Sequence, residues 1–281
     1  MANEPETAAK RDSKCRVAEN FPAGPGFFRM RIHAPELADV FLPGQFFQLR
    51  IRPGAETPLL RRPFVPSSRE PDGFSFHYAV VGRGTGVMAE LSPGAPVDIL
   101  APLGNAFSPL PADRTALIIG GGLGAPGLAP LGKALASAGV RTIIALGAQT
   151  ADRLPAPELF SGAADRLLFA TDDGSLGFAG SVVDAVLDGA GDIFGHLSRI
   201  YACGPLAMLA AAAGLAAGRN IPCEVSLEAR MACGFGACMG CVVPILGGKG
   251  RNAFLRVCRE GPVFDARNVD WPFLIGVVPA F

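Results

Sequence analysis

Four cysteines near the end of the chain carry its clearest chemistry. Cys233, Cys238 and Cys241 lie in the run ACGFGACMGC, and sixteen residues separate Cys241 from Cys258. A Cys-x4-Cys-x2-Cys…Cys spacing is the ligand pattern of a plant-type 2Fe–2S site. Four thiolates must converge on two irons while the backbone wraps closely round the inorganic sulfides. Gly234, Gly236 and Gly240 supply the free dihedrals and the missing Cβ that such a wrap requires. Backbone N–H groups of the loop can then point at the sulfides and stabilise their charge. Two other uses of cysteine compete. Structural zinc loops more often show paired Cys-x2-Cys knuckles, and disulfides belong to oxidising compartments. The expectation is a 2Fe–2S cluster held by Cys233, Cys238, Cys241 and Cys258.

A second set of motifs points to a dinucleotide. TALIIGGG reads as a buried strand ending in glycines, and Gly120-Gly121-Gly122-Leu123-Gly124-Ala125-Pro126 opens a helix behind it. That context suits a pyrophosphate-binding turn, since glycine lets the backbone approach and the helix N-terminus attracts anions. The spacing is not a strict G-x-G-x-x-G. The acidic residue expected after the second strand is also missing, with Asp152 slightly late and Arg153 following it. The choice between NAD and NADP therefore stays open. Thr171-Asp172-Asp173-Gly174-Ser175 follows the next strand at its C-terminal end, where ligands bind in open α/β sheets. Tyr201-Ala202-Cys203-Gly204-Pro205 ends a fourth strand. Cys203 is placed to lie beside a nicotinamide ring, with Gly204 and Pro205 turning the chain beneath it. The competing reading of Cys203 is a buried core cysteine.

Earlier in the chain the signals are weaker. Leu60-Arg61-Arg62-Pro63-Phe64-Val65 follows a strand, and Val81-Gly82-Arg83-Gly84-Thr85 leads into a short helix about twenty residues later. An arginine beside a rigid proline turn can hold a pyrophosphate by charge-assisted hydrogen bonds. A Gly-Thr pair at a helix start offers N–H donors and a hydroxyl. Each taken alone fits an ordinary turn equally well.

The elements that position these motifs fall into three zones. The chain has 281 residues, 49% hydrophobic and 18% charged, with a net charge of zero. That supports a large core and gives no ground for binding nucleic acid or an anionic membrane. No apolar run reaches the eighteen or so residues of a membrane helix, and the polar N-terminus shows no signal peptide. A cytoplasmic protein is expected. Residues 1–14 read as a flexible tail. Residues 15–112 show short alternating strands at 27–34, 44–52, 73–81 and 95–101, with one helix near 86–92, as in a small antiparallel barrel. Residues 113–225 alternate strand and helix, which means a Rossmann-like parallel sheet. Residues 226–265 form the cysteine module, and residues 266–281 an apolar tail. That tail is read first as cover for the chain's own core and alternatively as a docking segment.

Together these motifs resemble the ferredoxin–NADP reductase superfamily. Within it the chain is most similar to the iron–sulfur electron-transfer subunits of heteromeric, class 1B dihydroorotate dehydrogenases. RRPF, GRGT, GGGLGAP, TDDGSLG, YACGP and SLEARMACGFGACMGC with VCREGPVF carry the resemblance. It implies FAD on the barrel, NAD(H) on the α/β domain and the 2Fe–2S cluster in the last module. Carried over, Arg62 contacts the FAD phosphates, Pro63, Phe64 and Val65 line the flavin, and His77, Tyr78 and Ala79 form the next strand edge. Gly84 and Thr85 hold the pyrophosphate. Gly121, Gly122, Gly124, Asp173, Cys203, Gly204 and Pro205 face the dinucleotide. The family usually has serine at the position of Val65, so one flavin hydrogen bond is in question. Its Gly-Pro-Leu-Gly-Asn run is here Ala101-Pro102-Leu103-Gly104-Asn105.

The implied role is electron transfer. NADH gives up two electrons at once, a 2Fe–2S cluster takes one, and a flavin exchanges both ways. The implied partner is an FMN-containing dihydroorotate dehydrogenase catalytic subunit, two of each in a heterotetramer, serving pyrimidine biosynthesis. Catalytic side chains are not needed. The three histidines read as ordinary core or surface residues. Two alternatives stand beside this: the small subunit of a sulfide dehydrogenase or NADH-dependent ferredoxin reductase, and a regulatory subunit that has lost its flavin.

Overall fold

The computed structural model describes residues 9–277, apart from residue 52 and segments 55–57, 190 and 247–252. The first zone is a seven-stranded antiparallel sheet. It contains β1 (Arg11–Gly24), β2 (Phe27–His33), β3 (Phe46–Ile51), β4 (Arg62–Phe64), β5 (Ser68–Glu70), β6 (Gly73–Ala79) and β7 (Pro96–Leu103), in the order β4-β3-β7-β1-β2-β6-β5. The sheet is not closed by hydrogen bonds, because β4 and β5 remain edges. It curls until those ends approach, which puts the Phe64 ring 4.9 Å from Phe76. Alternation explains the curl. Phe74, Phe76 and Tyr78 on β6 and Phe47 and Leu49 on β3 point inward and are fully buried. Each such aromatic contributes about 1.5–3 kcal/mol by burial.

Two expectations shift here. β1 starts at Arg11, inside the expected tail, and its residues Arg11–Arg16 pair with β7. Its mixed polar sequence hides it from pattern reading. The short helix α1 spans Arg83–Ala89, with Gly82 as N-cap, so it starts three residues before the expected 86. The Thr85 hydroxyl accepts from the N–H groups of Val81 and Gly82 and so satisfies the helix start.

The second zone has β8 (Thr115–Gly121), α2 (Gly124–Gly127), α3 (Ala129–Ser137), β9 (Arg141–Ala148), β10 (Arg166–Thr171), β11 (Phe178–Ala179), α4 (Val182–Gly189), β12 (Leu197–Cys203), α5 (Leu206–Gly218) and β13 (Cys223–Ser226). Its sheet order is β11-β10-β9-β8-β12-β13-β16, where β16 (Val263–Asp265) comes from the last module and runs antiparallel. The other pairings are parallel. Helices cover both faces, so β8 is buried along its whole length. The helix expected behind the glycine run is broken at Leu128 into α2 and α3.

The last module holds the cysteine loop, a hairpin of β14 (Val242–Ile245) and β15 (Ala253–Arg256), then β16 and α6 (Trp271–Val277). Asn105 fastens it to the barrel. Its Nδ2 donates to the carbonyls of Glu260 (3.0 Å) and Val263 (2.8 Å), and its Oδ1 accepts from Val263 N–H at 2.9 Å. A Cβ on Gly104 would lie 2.5 Å from Pro262, so glycine there permits the close approach. In the C-terminal segment Leu274 is buried and Trp271 Nε1 donates to the carbonyl of Ala266 at 2.9 Å. Phe273 and Ile275 stay exposed. Residues 278–281 lie outside the described residues. Among the described residues no helix is long and apolar enough to cross a membrane.

Candidate functional site

Three cavities run along the seam between the zones. The first, about 350 Å³, is lined on the barrel side by Pro63, Phe64, Val65, His77, Tyr78, Ala79 and Thr85, and opposite by Gly124, Gly127, Cys203 and Glu228. Sheet geometry explains what it can bind. β5 pairs with β6 only over Gly73–Ser75. The carbonyl of Ser75 points to that side, where it accepts from Ser67 N–H at 2.8 Å. Two-residue periodicity turns the backbone of His77 and Ala79 to the same side, beyond the end of β5. An open row of N–H and C=O groups therefore faces the cavity, complementary to the donors and acceptors on one edge of a flavin ring. The other walls are apolar, which suits the ring's faces.

Arg62 and Gly84 sit together at one end. Arg62 donates to the carbonyl of Leu60, and a Cβ on Gly84 would fall 2.5 Å from its guanidinium. Burial alone lowers the pKa of this guanidinium. A half-buried cation beside the first turn of α1 suits a phosphate. Val65 packs near Gly127, where a Cβ would meet it at 3.1 Å, so the missing hydroxyl is replaced by a contact with α2. The residues present thus fit FAD.

His77 is the core case of the reading given to the histidines. It is buried, its Nδ1 lies 3.0 Å from Ser67 Oγ, and burial, then Arg29, push its pKa down to about 4. It is a neutral imidazole in the cavity wall. Tyr78 donates its hydroxyl to Asn20 Oδ1 at 2.9 Å and stacks on Phe28.

The other two cavities follow the glycine turn. One of about 280 Å³ is lined by Gly121, Gly124, Gly204, Pro205, Glu228 and Leu274. Another of about 510 Å³ is lined by Gly121, Gly122, Gln149, Arg153, Asp172 and Pro205 among others. A Cβ on Gly124 would fall 2.6 Å from the Gly204 nitrogen and 2.7 Å from the Cys203 carbonyl, so the start of α2 comes this close to the end of β12 only through glycine. Asp173 is not brought to the cavity. Its carboxylate accepts from Ser175 N–H (3.0 Å) and Oγ (2.6 Å), and Asp172 lines the cavity instead. Cys203 lines the first cavity. Burial, then Glu228, raise its thiol to about 12 against a hydrogen bond with Ser226. Glu228 is exposed at the surface and lines two cavities, and the desolvation it meets there raises its carboxyl pKa. Ser226, Leu227 and Met231 complete the wall without any signal in their own residue types.

The cysteine loop begins two residues beyond Met231. Gly234 and Gly236 take left-handed φ values of +76° and +96°, as the wrap requires. Cys238 N–H donates to Cys233 Sγ at 3.4 Å. Burial opposes ionisation of Cys233, but N–H groups of Phe235, Cys238 and Ala237 outweigh it and hold the thiol at about 6. Cys241 and Cys258 are buried and hydrogen-bonded to one another, and burial with this contact pushes Cys258 up to about 12. Among the described residues no three such groups close as a single metal ion needs. Cys233 interacts with Cys238 and Cys241 with Cys258, and Cys233 also acts on Cys258. Four such thiols are the donor number of a binuclear cluster.

The iron–sulfur cluster binding domain of dihydroorotate dehydrogenase B matches residues 228–270. The dihydroorotate dehydrogenase B (NAD(+)) electron transfer subunit of Geobacillus kaustophilus is 42% identical over 232 residues, 81% of this chain and 86% of that one. The corresponding subunit of Desulforamulus reducens is 35% identical over 264 residues, 91% and 97% of the two chains. The chain belongs to the family of dihydroorotate dehydrogenase B electron transfer subunits. A solved NADH-dependent reduced ferredoxin-NADP oxidoreductase is also similar, with a TM-score of 0.80, 29% identity and coverage of 93% and 91%. A ferredoxin reductase of carbazole 1,9a-dioxygenase shares the fold, with a TM-score of 0.64 at 21% identity, over 76% of this chain and 67% of that one. An electron-transfer role, as in the name of this family, agrees with a seam along which the flavin-sized cavity, the glycine turn and the cysteine loop follow one another.

Proposed function

We propose that this chain passes electrons between NAD(H), FAD and a 2Fe–2S cluster, and exchanges them with an FMN-containing dihydroorotate dehydrogenase catalytic subunit in pyrimidine biosynthesis. One observation carries the proposal. Residues 226–229 and Met231 form a wall of the flavin-sized cavity, and Cys233 follows Met231 by two residues, a chain distance of at most about 7 Å. When bound, FAD would take hydride from NADH and release electrons singly.

The protein's own groups do the rest. Arg62, Gly84 and Thr85 hold the phosphates. The open backbone edge of His77 and Ala79 orients the ring, and Phe64, Val65 and Gly127 exclude water from it. Gly121, Gly122, Gly124, Gly204 and Pro205 admit the dinucleotide, with Cys203 at the junction as a neutral, polarisable contact. Cys233, Cys238, Cys241 and Cys258 bind the irons. The three remaining cysteines are unpaired and buried, which accords with the reducing cytoplasm.

The purified chain should contain FAD and about two irons. It should oxidise NADH with ferricyanide but not oxidise dihydroorotate with NAD by itself. Adding the FMN subunit from the same organism should restore that second reaction. Dihydroorotate oxidation by the chain alone would overturn the subunit assignment. A second reading, as part of a ferredoxin reductase complex, rests on the 29% identity to the NADH-dependent oxidoreductase. A full pair with the FMN subunit that forms but lacks NAD-linked activity would favour it.

A further inference from the structure

Gln48 lies on β3 between Phe47 and Leu49, which point into the barrel core. Its own side chain therefore points the other way, with Phe46, toward the last module. It is completely buried. Its Nε2 donates to Met231 Sδ at 3.6 Å, a weak bond, and its Oε1 has no hydrogen-bond partner. A Cβ on Gly234 would fall 2.3 Å from Nε2, 2.5 Å from Cγ and 2.7 Å from Cδ. The amide is therefore laid against the Gly234 backbone, beside Cys233, while Met231 lines the flavin cavity. Buried polar groups are nearly always paired, so an orphaned carbonyl at this point calls for a reason.

We infer that Gln48 is a positioning residue for the iron–sulfur loop, its amide holding the Met231–Gly234 segment against β3 and offering an acceptor to a loop N–H when the thiolates are bound. This rests on the iron–sulfur reading above. The left-handed Gly234 then has two reasons to be glycine, its φ of +76° and the amide beneath it. Dipoles and hydrogen bonds near cluster ligands set iron–sulfur potentials. The amide therefore affects the cluster's electronic environment as well as its place.

The test uses the full FAD-containing chain. Gln48→Met keeps the volume and removes both amide groups. FAD content and melting should stay near the parent's. The reduced cluster's electron paramagnetic resonance g-values and midpoint potential should shift, and bleaching in air should become several-fold faster. Gly234→Ala should lose most of its iron, and adding Gln48→Ala to that variant should restore part of it. Unchanged g-values, potential and bleaching in Gln48→Met would overturn the inference. Failure of Gln48→Ala to rescue Gly234→Ala would also count against it. A parent chain without a cluster signal would overturn the iron–sulfur reading itself, and this inference with it.

Discussion

The Cys233 thiol is held at about 6, whereas the Cys203 thiol is pushed up to about 12. The two lie on the same seam, one in the cysteine loop and one at the end of β12. Cys233 is half-buried and receives several backbone N–H groups from a glycine-rich turn. Cys203 is buried, close to Glu228, and has one hydroxyl for company. Cys15 and Cys223 are likewise buried and raised to about 12, and so is the buried ligand Cys258, so the low value belongs to the glycine-rich turn around Cys233 and not to every ligand. Loop geometry prepares a thiol for metal, and core packing keeps one inert. The first region depends on backbone dihedrals and the second on close packing.

The contrast is broken most directly at the loop. Cys238→Ser should lose the visible cluster bands and most of the iron while keeping flavin. Cys203→Ala should keep iron and flavin both. Stoichiometric iron in Cys238→Ser would show that the ligand set is wrong. On the packed side, truncation after Asp270 removes the buried Leu274 and the Trp271 bond to Ala266. Loss of one such core leucine costs about 2–5 kcal/mol. Denaturant unfolding should show a drop of at least that size. Unchanged stability with weakened complex formation would instead make the segment a docking element.

His77 gives the packed region a pH signature. Its folded pKa of about 4 lies below the ordinary 6.5, so the unfolded chain takes up a proton first as pH falls. Stability should be full above about pH 6.5 and decline between there and pH 4, by on the order of 3 kcal/mol. His77→Asn should flatten that decline in melts recorded across the same range. A parent curve flat from pH 7 to 4 would contradict the buried neutral imidazole. Gly124→Ala should weaken NADH binding, since overpacking against backbone costs about 1–3 kcal/mol. Fluorescence titration with NADH measures it, and parental affinity would mean that α2 and the end of β12 can part without cost. The smallest effect is at Val65. Val65→Ser returns one hydroxyl, worth about 1 kcal/mol if it reaches the flavin, and should tighten FAD or shift its potential modestly. Weaker FAD binding would show that the contact with Gly127 matters more.

Much of this architecture is legible because its signals are local. The cysteine spacing, the glycine turn behind β8 and the alternation in β6 each follow from neighbours within a few residues. The start of β1 escapes such reading because its polar residues pair with β7, far along the chain, and no local pattern reports that pairing. Asp173 and Asp172 are adjacent and chemically equal, so only the turn that points one at Ser175 separates them. Glu228 lies within the run SLEARMACGFGACMGC, but its place between two cavities is a property of the fold.

Residue type and spacing by themselves determined which cofactors this chain is built to carry, because metal ligation, tight turns and strand alternation are short-range requirements of the backbone. Tertiary structure alone decided which groups meet at the seam. It set the amide of Gln48 under Gly234, the clamp of Asn105 on Val263, and the open edge of β6 opposite Gly124. Those contacts join residues up to 186 positions apart, from Gln48 to Gly234, and depend on how two sheets and a loop pack together. Nothing in the order of residues states that packing until the chain has folded.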